Sequence, residues 1–335
     1  MTGCGGLITD RPVVNQTEGA SDLKVHFIDV GQGDSTLAEK DGRFMLIDAG
    51  EQDQAETVVS YLKAQGVRKL DYVIGTHPHS DHIGGLEAVI REFDVDKVIL
   101  PEKEHTTKTF ERLLDAVADK NLKITLPRVG DSYKLGDASF RIIAPNRDYG
   151  DNLNNWSVGI RLAYGTTGFV LCGDAEKEAE EDMAANGLDL NADVLKLSHH
   201  GSSTSSSEQF MDLVDPEYAV ISCGRNNDYG HPHKEVMEML KKRGIKVLRT
   251  DQMGTVVAVS DGSGVTFPGT GDMDRSQAES EAVSREYVVN TNTKKFHLPD
   301  CKSAASIKTE NRETYSGTRE ELIRRGYEPC QSCRP

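Results

Sequence analysis

The 335-residue sequence lacks long apolar runs and has no excess of positive charge. No segment approaches the 18 or more consecutive apolar residues of a transmembrane helix, so no membrane span is predicted within it. Its 39 Lys and Arg are outnumbered by 54 Asp and Glu, which gives a formal net charge of −15. An acidic protein does not attract phosphate backbones at long range. Chemistry on nucleic acid would therefore depend on a local site, on bound metal ions or on a basic segment.

Cysteine is also scarce, because six in this length are too few for a disulfide-based scaffold. The composition, with 37% hydrophobic and 28% charged residues, fits a folded chain that buries a sizeable core. Its length predicts about two domains. We predict a polar lead-in, an α/β domain, a flexible Gly-, Ser- and acid-rich linker, and a compact tail with nine Lys and Arg against seven Asp and Glu. These segments are residues 1–22, 23–262, 263–285 and 286–335.

Strand and helix patterns alternate through the second segment, which favours a layered α/β domain. Residues 24–30, 35–39 and 43–48 predict a three-strand meander in which the first and third strands run parallel. The loop "GQGDS" and Asp48 should then lie at the same edge of the sheet. The two glycines of this loop could present N–H groups to a phosphate oxygen or simply permit a tight turn. Asp34 and Gln32 are candidates of second rank there.

The segment "THPHSDHIGG" places His77, His79, Asp81 and His82 within six residues, although the chain has only ten histidines. Imidazoles and carboxylates are good ligands for Zn²⁺, Mn²⁺ or Fe²⁺. From an extended segment after a strand, the first two histidines can point the same way. Asp81 and His82 follow one turn later and can face a second ion. We therefore predict a metal site rather than a polar surface loop.

This H-x-H-x-D-H pattern resembles the signature of the metallo-β-lactamase superfamily. The resemblance implies an αββα sandwich with a one- or two-metal site at one edge. It also implies that Asp174 in "CGDAE" bridges two ions, that Asp48 supports the site from behind, and that His199 or His200 in "SHHGS" is a further ligand. Considered alone, Asp174 could instead cap the following helix and Asp48 could be a turn former.

A finer resemblance connects residues 23–262 to the metallo-β-lactamase domain of ComEC-type DNA-uptake proteins. It is carried by "FIDVGQGDS", "THPHSDHIGG", "NNWSVGIRL", "CGDAE", "LKLSHHGS", "YGHPH" and "TDQMGTV", in that order. The membrane channel of those proteins is not in this sequence, so a transport role is not carried over.

One departure concerns the histidine that usually completes the first metal site of the superfamily. The matching segment here offers Asn154 and Asn155, whose amide oxygens are harder and weaker ligands than imidazole. The first site should then bind metal less tightly or accept Mn²⁺ more readily, which argues against β-lactamase, lactonase and glyoxalase chemistry. Asn155 and His231 are further candidates for contacting a phosphate oxygen or donating a proton, and Asp81 and Asp174 complete the predicted catalytic set.

The tail supplies His297, Cys301, Cys330 and Cys333 in the order H-x3-C, then 28 residues, then C-x2-C. Two close pairs separated by a loop suit a tetrahedral structural zinc site, and a small tail needs such a staple. The alternative is a disulfide among these cysteines. The stretch resembles the Ada-type zinc-binding module, but its first ligand is a histidine, so methyl-acceptor chemistry is not carried over.

The start "TGCGG" resembles the end of a lipobox, with Cys4 as the lipidation candidate and hence as a membrane tether. The alternative is an incidental cysteine. A bacterial protein that is extracellular or anchored as a lipoprotein is predicted, with a cytoplasmic location as the alternative, because zinc–thiolate sites are more usual in reducing compartments. No protein partner is predicted.

Taken together, these features predict a metal-dependent hydrolase with two divalent ions, Zn or Mn, at its central site and one structural Zn in the tail. The expected activity is that of a phosphodiesterase or nuclease, in which a metal-activated hydroxide attacks DNA or a nucleotide. Two alternatives stay open. One is another metal-dependent ester hydrolase, of the phosphocholine esterase or lactonase type. The other is a non-catalytic nucleic-acid-binding accessory with a vestigial metal site.

Overall fold

The computed structural model describes residues 21–268, 285–299, 301–317, 322, 325–330 and 333. The chain divides into two units, Met1–Pro268 and Gly269–Pro335, and each is described by itself. The division falls within the segment predicted as a linker. Cys4 and most of the predicted lead-in lie outside the described residues.

Two sheets form the first unit. The larger has eight strands in the order β15-β14-β1-β2-β3-β4-β5-β6. Its strands are β1 (Leu23–Phe27), β2 (Thr36–Lys40), β3 (Arg43–Ile47), β4 (Lys69–Ile74), β5 (Asp94–Ile99), β6 (Ile124–Thr125), β14 (Val256–Ser260) and β15 (Val265–Thr266). Strands β1 to β3 form the predicted antiparallel meander, and β3, β4 and β5 are parallel to one another.

The second sheet has seven strands in the order β13-β12-β11-β10-β9-β8-β7. They are β7 (Ser132–Leu135), β8 (Ala138–Ala144), β9 (Gly159–Tyr164), β10 (Thr167–Leu171), β11 (Val194–Lys196), β12 (Tyr218–Ile221) and β13 (Lys246–Arg249). Strands β10 to β13 are parallel, so their carboxyl ends lie at one edge of this sheet.

Helices cover each sheet on one face. Their bounds are α1 (Ala55–Ala64), α2 (Ser80–Ile83), α3 (Leu86–Glu92), α4 (Lys108–Asp119), α5 (Lys177–Ala185), α6 (Glu208–Val214), α7 (Lys234–Arg243) and α8 (Thr250–Met253). One apolar cluster joins α1, α3 and α4 to the larger sheet, and a second joins α5, α6 and α7 to the smaller one. The sheets meet through contacts such as Tyr72 against Phe140, whose ring centroids are 4.9 Å apart. The predicted αββα sandwich is confirmed.

Helices α2 and α3 are separated at Gly84 and Gly85, which lie where other backbone comes too close for a Cβ atom. The predicted linker begins with a strand, because β15 pairs with β14. The turn before β15 is held by Asp261, whose Oδ1 accepts hydrogen bonds from the N–H groups of Ser263 and Gly264 at 2.8 and 2.9 Å.

The second unit contains a four-stranded sheet in the order β18-β16-β17-β19 and a short helix. The elements are β16 (Arg285–Asn290), β17 (Lys295–His297), α9 (Lys302–Ala305), β18 (Arg312–Gly317) and β19 (Glu328–Pro329). A small apolar cluster of Tyr287, Val289, Phe296 and Leu322 packs within it. A core of this size is marginal by itself, which makes an additional staple physically reasonable.

Candidate metal centre

The predicted ligands converge at the carboxyl ends of the central strands of both sheets. Asp48 follows β3, His77 follows β4, and Asp174 follows β10. Of these three, Asp174 lines a cavity of about 290 Å³. Its lining comprises Gln32, Glu51, His79, Ser80, Asp81, Asp174, His199, His200, Tyr229 and His231.

Asp48 is buried and orients His82. Its Oδ1 accepts the Thr76 backbone N–H at 2.8 Å, its Oδ2 accepts the Thr76 hydroxyl at 2.7 Å, and the same Oδ2 lies 2.8 Å from Nδ1 of His82. With Nδ1 held by this carboxylate, Nε2 of His82 faces the cluster. A carboxylate behind an imidazole is the usual way to fix a metal-ligating histidine. Burial raises the pKa of Asp48.

Four side chains form the tightest group. Asp81, His82, Asp174 and His200 each place one potential ligand atom within 4.8 Å of the others. Nε2 of His82 lies 3.2 Å from Oδ2 of Asp174. Nε2 of His200 lies 3.3 Å from Oδ2 of Asp81 and 3.6 Å from Oδ2 of Asp174. Oδ2 of Asp174 thus lies close to both imidazoles.

His77 and His79 form a second pair beside this group. Nε2 of His77 lies 3.0 Å from Nδ1 of His79 and 3.9 Å from Oδ2 of Asp174. On its other side, Nδ1 of His77 lies 3.1 Å from the Thr76 hydroxyl and 3.3 Å from the Ser157 hydroxyl. The pair therefore shares Asp174 with the first group, which allows two ions to share one carboxylate.

The two histidines that follow β11 are placed differently. His200 is buried, and its Nδ1 lies 2.9 Å from the Ser222 carbonyl, which directs Nε2 toward the cluster. His199 is partly exposed, its Nδ1 lies 3.0 Å from the Thr204 hydroxyl, and its Nε2 is 3.9 Å from Asp174. Both have positive φ angles, 51° and 55°, an unusual backbone conformation for residues with side chains. Such strain at a site is typical of functional positions.

The helix-cap alternative for Asp174 does not apply. Helix α5 begins at Lys177, and its N-cap residue is Glu176. The Asp174 side chain is buried, and its Oδ1 has no hydrogen-bond partner within the described part of the chain.

The charges of the cluster are strongly coupled. Burial opposes ionisation of Asp174, but His82 and His200 hold its pKa well below its usual range. Burial would lower the pKa of His200, yet Asp174 and Asp34 raise it to about 10. The pKa of His82 is raised well above its usual range in the same way, chiefly by Asp174. The carboxylates thus require positive charge beside them, and bound divalent cations would supply it in place of protons.

The donor set fits such ions. Buried Nε2 of His82, Nε2 of His200 and Oδ1 of Asp174 have no hydrogen-bond partner among the described residues. Unpaired buried polar atoms are costly, and three of them within one group of imidazoles and carboxylates match the ligand chemistry of Zn²⁺, Mn²⁺ or Fe²⁺.

Sequence reasoning missed Lys196 and ranked Asp34 too low. Both side chains are buried, and Nζ of Lys196 forms an ion pair with Oδ2 of Asp34. Oδ1 of Asp34 lies 3.4 Å from Nδ1 of His200. Asp34 therefore links the cation of β11 to a candidate ligand. The signal in the sequence was a lone lysine in the apolar strand "VLKL".

The loop "GQGDS" serves as a tight connection. The N–H of Asp34 donates to the Asp81 carbonyl at 3.0 Å, and the N–H of Gly31 donates to Oδ1 of Asp29 at 3.1 Å. A Cβ on Gly33 would lie 2.4 Å from the Asp81 carbonyl oxygen. Of the two alternatives for this loop, the observed contacts favour the turn. Gln32 lines the cavity, and its Oε1 accepts the N–H of Gly224 at 3.0 Å.

Asn155 is not brought to the cavity. Its Oδ1 accepts the Glu176 N–H at 2.9 Å and its Nδ2 donates to Glu178 at 3.0 Å, so its amide holds the start of α5. The phosphate contact expected of Asn155 is therefore not what its side chain does here. His231 lines the cavity, and its buried Nδ1 has no hydrogen-bond partner among the described residues. Burial, with His200 and His199 nearby, lowers the pKa of His231 to about 4.

The second unit brings His297, Cys301, Cys330 and Cys333 together. One ligand atom from each lies within 4.8 Å of the others, and Nδ1 of His297 is 3.6 Å from Sγ of Cys301. Cys301, Cys330 and Cys333 are not joined by disulfide bonds, contrary to the disulfide alternative. The Leu298 N–H lies 3.4 Å from Sγ of Cys333. This cluster could hold a metal ion.

Comparison with known proteins agrees with this geometry. Residues 28–225 match the family model described as "Metallo-beta-lactamase superfamily". The chain belongs to this superfamily. It is similar to ComE operon protein 3 of Bacillus subtilis (strain 168), with 33% identity over 256 residues that cover 71% of this chain and 33% of that protein. Competence protein ComA of Neisseria gonorrhoeae is 32% identical over 254 residues, 75% of this chain and 34% of that protein. The chain thus spans about a third of the length of these relatives.

Among solved structures, the chain is similar to Igni18, a metallo hydrolase from Ignicoccus hospitalis, with 20% identity and a TM-score of 0.47. The match covers 70% of this chain and 98% of the Igni18 chain. Within the part of the chain that the structure describes, no helix is both long and apolar enough to cross a membrane. Membership of the superfamily establishes a metal-dependent hydrolase fold.

Proposed function

We propose that this protein is a metal-dependent phosphodiesterase that acts on DNA or nucleotides. The observation that carries the proposal is a set of buried ligand atoms, on His82, His200 and Asp174, that have no hydrogen-bond partner among the described residues. His200 and Asp174 also line the cavity. Similarity to proteins named for competence supports a substrate related to DNA. Asn154 and Asn155 occupy the segment in which the superfamily usually has a metal-ligating histidine. This difference supports a chemistry other than that of β-lactamases.

The residues would hold two divalent ions, Zn or Mn. His77, His79 and Asp174 would hold the first, and Asp81, His82, His200 and Asp174 the second. When bound, two such ions supply Lewis acidity and lower the pKa of water toward neutrality. Asp174 lies within 4 Å of imidazole nitrogens from both sets, which suits a shared ligand.

The chain's own residues position this site. Asp48 fixes the ring of His82 through Nδ1, and the Ser222 carbonyl fixes that of His200. The lowered pKa of His231 leaves it neutral at pH 7, so one ring nitrogen can donate a hydrogen bond to a phosphodiester oxygen in the cavity. Tautomer choice follows the local hydrogen bonds. Tyr229 and Glu51 line the same cavity of about 290 Å³.

The test is hydrolysis by metal-depleted protein to which Mn²⁺, Zn²⁺ or Mg²⁺ is added back. Single- and double-stranded DNA are the substrates, with bis(p-nitrophenyl) phosphate as the generic diester. We expect metal-dependent cleavage that falls at least 100-fold in Asp81→Ala/His82→Ala, because removal of metal ligands and their partners costs this much or more. His105→Ala is the matched control, since His105 is partly exposed and contacts Thr107.

Three outcomes are distinct. Cleavage of DNA that requires metal and is lost in the ligand variant supports the nuclease. Cleavage of the small diester alone keeps the mechanism and moves the substrate to nucleotides. If neither is cleaved by protein shown to contain two bound metal ions, the proposal is wrong.

We also propose that His297, Cys301, Cys330 and Cys333 hold one structural Zn. Thiolates with one imidazole prefer Zn²⁺ in a closed tetrahedral site. Purified protein should contain one tightly held Zn that Cys301→Ser removes, measured by elemental analysis with Cys223→Ser as the control. Retention of that Zn by Cys301→Ser would contradict this assignment.

For the location, we propose an extracellular bacterial protein anchored through a lipid on Cys4. Support comes from the "TGCGG" motif and from the bacterial relatives. Mass spectrometry of the N-terminal peptide from native membranes should show a diacylglyceryl group. An unmodified Cys4 in the cytosolic fraction would favour the cytoplasmic alternative.

A further inference from the structure

An aromatic side chain stands exposed at the rim of the metal cavity. Tyr229 lines this cavity together with Asp81, Asp174 and His200, yet 68% of its surface is exposed. Among the large apolar side chains that the structure describes as exposed, it has the greatest exposure; the next, Leu126 and Leu213, reach 44%. Folding gains little from an aromatic ring left in water, so packing does not account for this position.

The ring is held in place rather than free. It stacks on His231 with centroids 5.6 Å apart and planes inclined by 17°. His231 in turn packs edge-on against His233 at 4.8 Å. One face of Tyr229 is therefore occupied by an imidazole, and the exposed fraction leaves the ring open toward solvent beside the cavity.

The loop that carries the ring is also fixed. Nδ2 of Asn227 donates to the His231 carbonyl at 2.7 Å, and Oδ1 of Asn227 accepts the His231 N–H at 2.9 Å. Nε2 of His233 lies 3.3 Å from the Tyr229 carbonyl, and its Nδ1 accepts the Ser203 N–H at 2.9 Å. Because the loop is already ordered, a flat ligand that stacks on Tyr229 pays little to order it.

Charge limits the other ways to hold a substrate. The net charge of −15 disfavours long-range attraction of a polyanion. Glu51 also lines the cavity, and its carboxylate would repel phosphate. An uncharged contact with a π face avoids both problems, and every nucleobase has such a face.

We propose that Tyr229 is a stacking platform for the nucleobase next to the scissile phosphodiester. This inference rests on the proposed function, which it deepens by defining the substrate as a nucleoside phosphodiester with an unstacked base. Base-on-aromatic stacking strengthens binding by about 5- to 150-fold per base. A base in a duplex has both faces covered, so single-stranded ends are the preferred form of DNA.

The test compares two esters with the same leaving group, thymidine 5′-(p-nitrophenyl) phosphate and methyl p-nitrophenyl phosphate, on Mn²⁺-loaded full-length protein. The measured quantity is the ratio of their kcat/KM values. Tyr229→Ala should lower this ratio at least fivefold, mainly through the KM of the thymidine ester, since ground-state binding is lost. Tyr229→Phe and Tyr229→Trp should keep it within about twofold, because each retains a π face. Leu126→Ala, which also removes an exposed apolar side chain, is the control and should leave the ratio unchanged.

Each other outcome overturns the inference in a recognisable way. An unchanged ratio in Tyr229→Ala means that the ring does not contact the base, even if both rates fall. A selective loss on p-nitrophenyl phosphorylcholine instead would show a cation–π site for choline. If wild-type protein with bound metal hydrolyses none of these esters or DNA, the proposed function itself fails. Hydrolysis with an unaltered ratio defeats only the role of Tyr229.

Discussion

Replacing Lys196 by Met should destabilise the first unit strongly. Lys196 and Asp34 are each about 3% exposed at the side chain and form a buried ion pair. Met has a similar length but no charge, so Lys196→Met leaves the Asp34 carboxylate without its cation. Burial by itself would raise the pKa of Asp34, but Lys196 and His200 hold this pKa below its usual value, and the substitution removes the attraction of Lys196. Removing one partner of a buried pair costs about 3–5 kcal/mol.

The assay is urea unfolding followed by tryptophan fluorescence in EDTA. The single tryptophan, Trp156, is buried in the first unit, so its emission reports on that unit. With an m value of about 3 kcal/mol/M, the expected loss shifts the midpoint down by about 1–1.7 M. Lys24→Met is the control, because Lys24 forms a pair with Glu39 at 2.9 Å but is 43% exposed. An exposed pair should contribute less than about 1 kcal/mol.

A double variant separates charge from packing. In Asp34→Asn/Lys196→Met both charges are gone, and the unfolding free energy should recover by at least about 2 kcal/mol relative to the single variant. A single variant as stable as Lys24→Met would refute the reasoning, since the carboxylate would then need no partner. So would a double variant less stable than the single one.

Three further outcomes are expected. Burial lowers the pKa of His26 to about 4, so the unfolded chain binds a proton at this residue more readily than the folded chain does. The unfolding free energy should therefore fall by up to about 3 kcal/mol as pH drops from 6.5 to 4. In urea titrations, His26→Asn should lose this pH dependence. Gly85→Ala should cost about 1–3 kcal/mol in the same assay, because its Cβ would lie 2.3 Å from the Ala49 carbonyl oxygen. Gly264→Ala, whose Cβ would meet no atom within 4 Å and whose φ is not positive, should cost less. Mn²⁺ at 100 times its Kd should stabilise the first unit by about 2.7 kcal/mol for each bound ion, and the Asp81→Ala/His82→Ala variant should lose the contribution of the ion that these two residues would hold.

Much of the fold could be predicted because its strands are short apolar runs separated by polar turns. The meander over β1 to β3 follows from this pattern, and it correctly places "GQGDS" and Asp48 at one edge. The metal cluster could be predicted because four residues of ligand type lie within six positions of the sequence. The edge strands β6 and β15 have two residues each, too few for a periodic signal.

The misses have physical causes. A lysine in a strand normally faces water, so nothing local showed that Lys196 is buried against Asp34, 162 positions away in the chain. Which of His199 and His200 points to the cluster depends on two successive positive φ angles. Residues other than glycine rarely adopt such angles, so the sequence did not predict them. Asn155 was misassigned because its amide can serve a ligand or a helix start equally well, and only the position of Glu176 decides between them.

The negative charge of the site determines how a phosphodiester can bind in the cavity. Without cations, the cavity faces a phosphodiester with Asp81 and Asp174, inside a chain of net charge −15. The protons that neutralise these carboxylates reside on His82 and His200, the same nitrogens that would bind metal. Phosphate should therefore bind only when divalent ions are bound. The attraction should act over a short range, because the net negative charge of the chain opposes it at longer distance. Selection among phosphodiesters must then come from uncharged contacts, which is the property that the exposed face of Tyr229 offers.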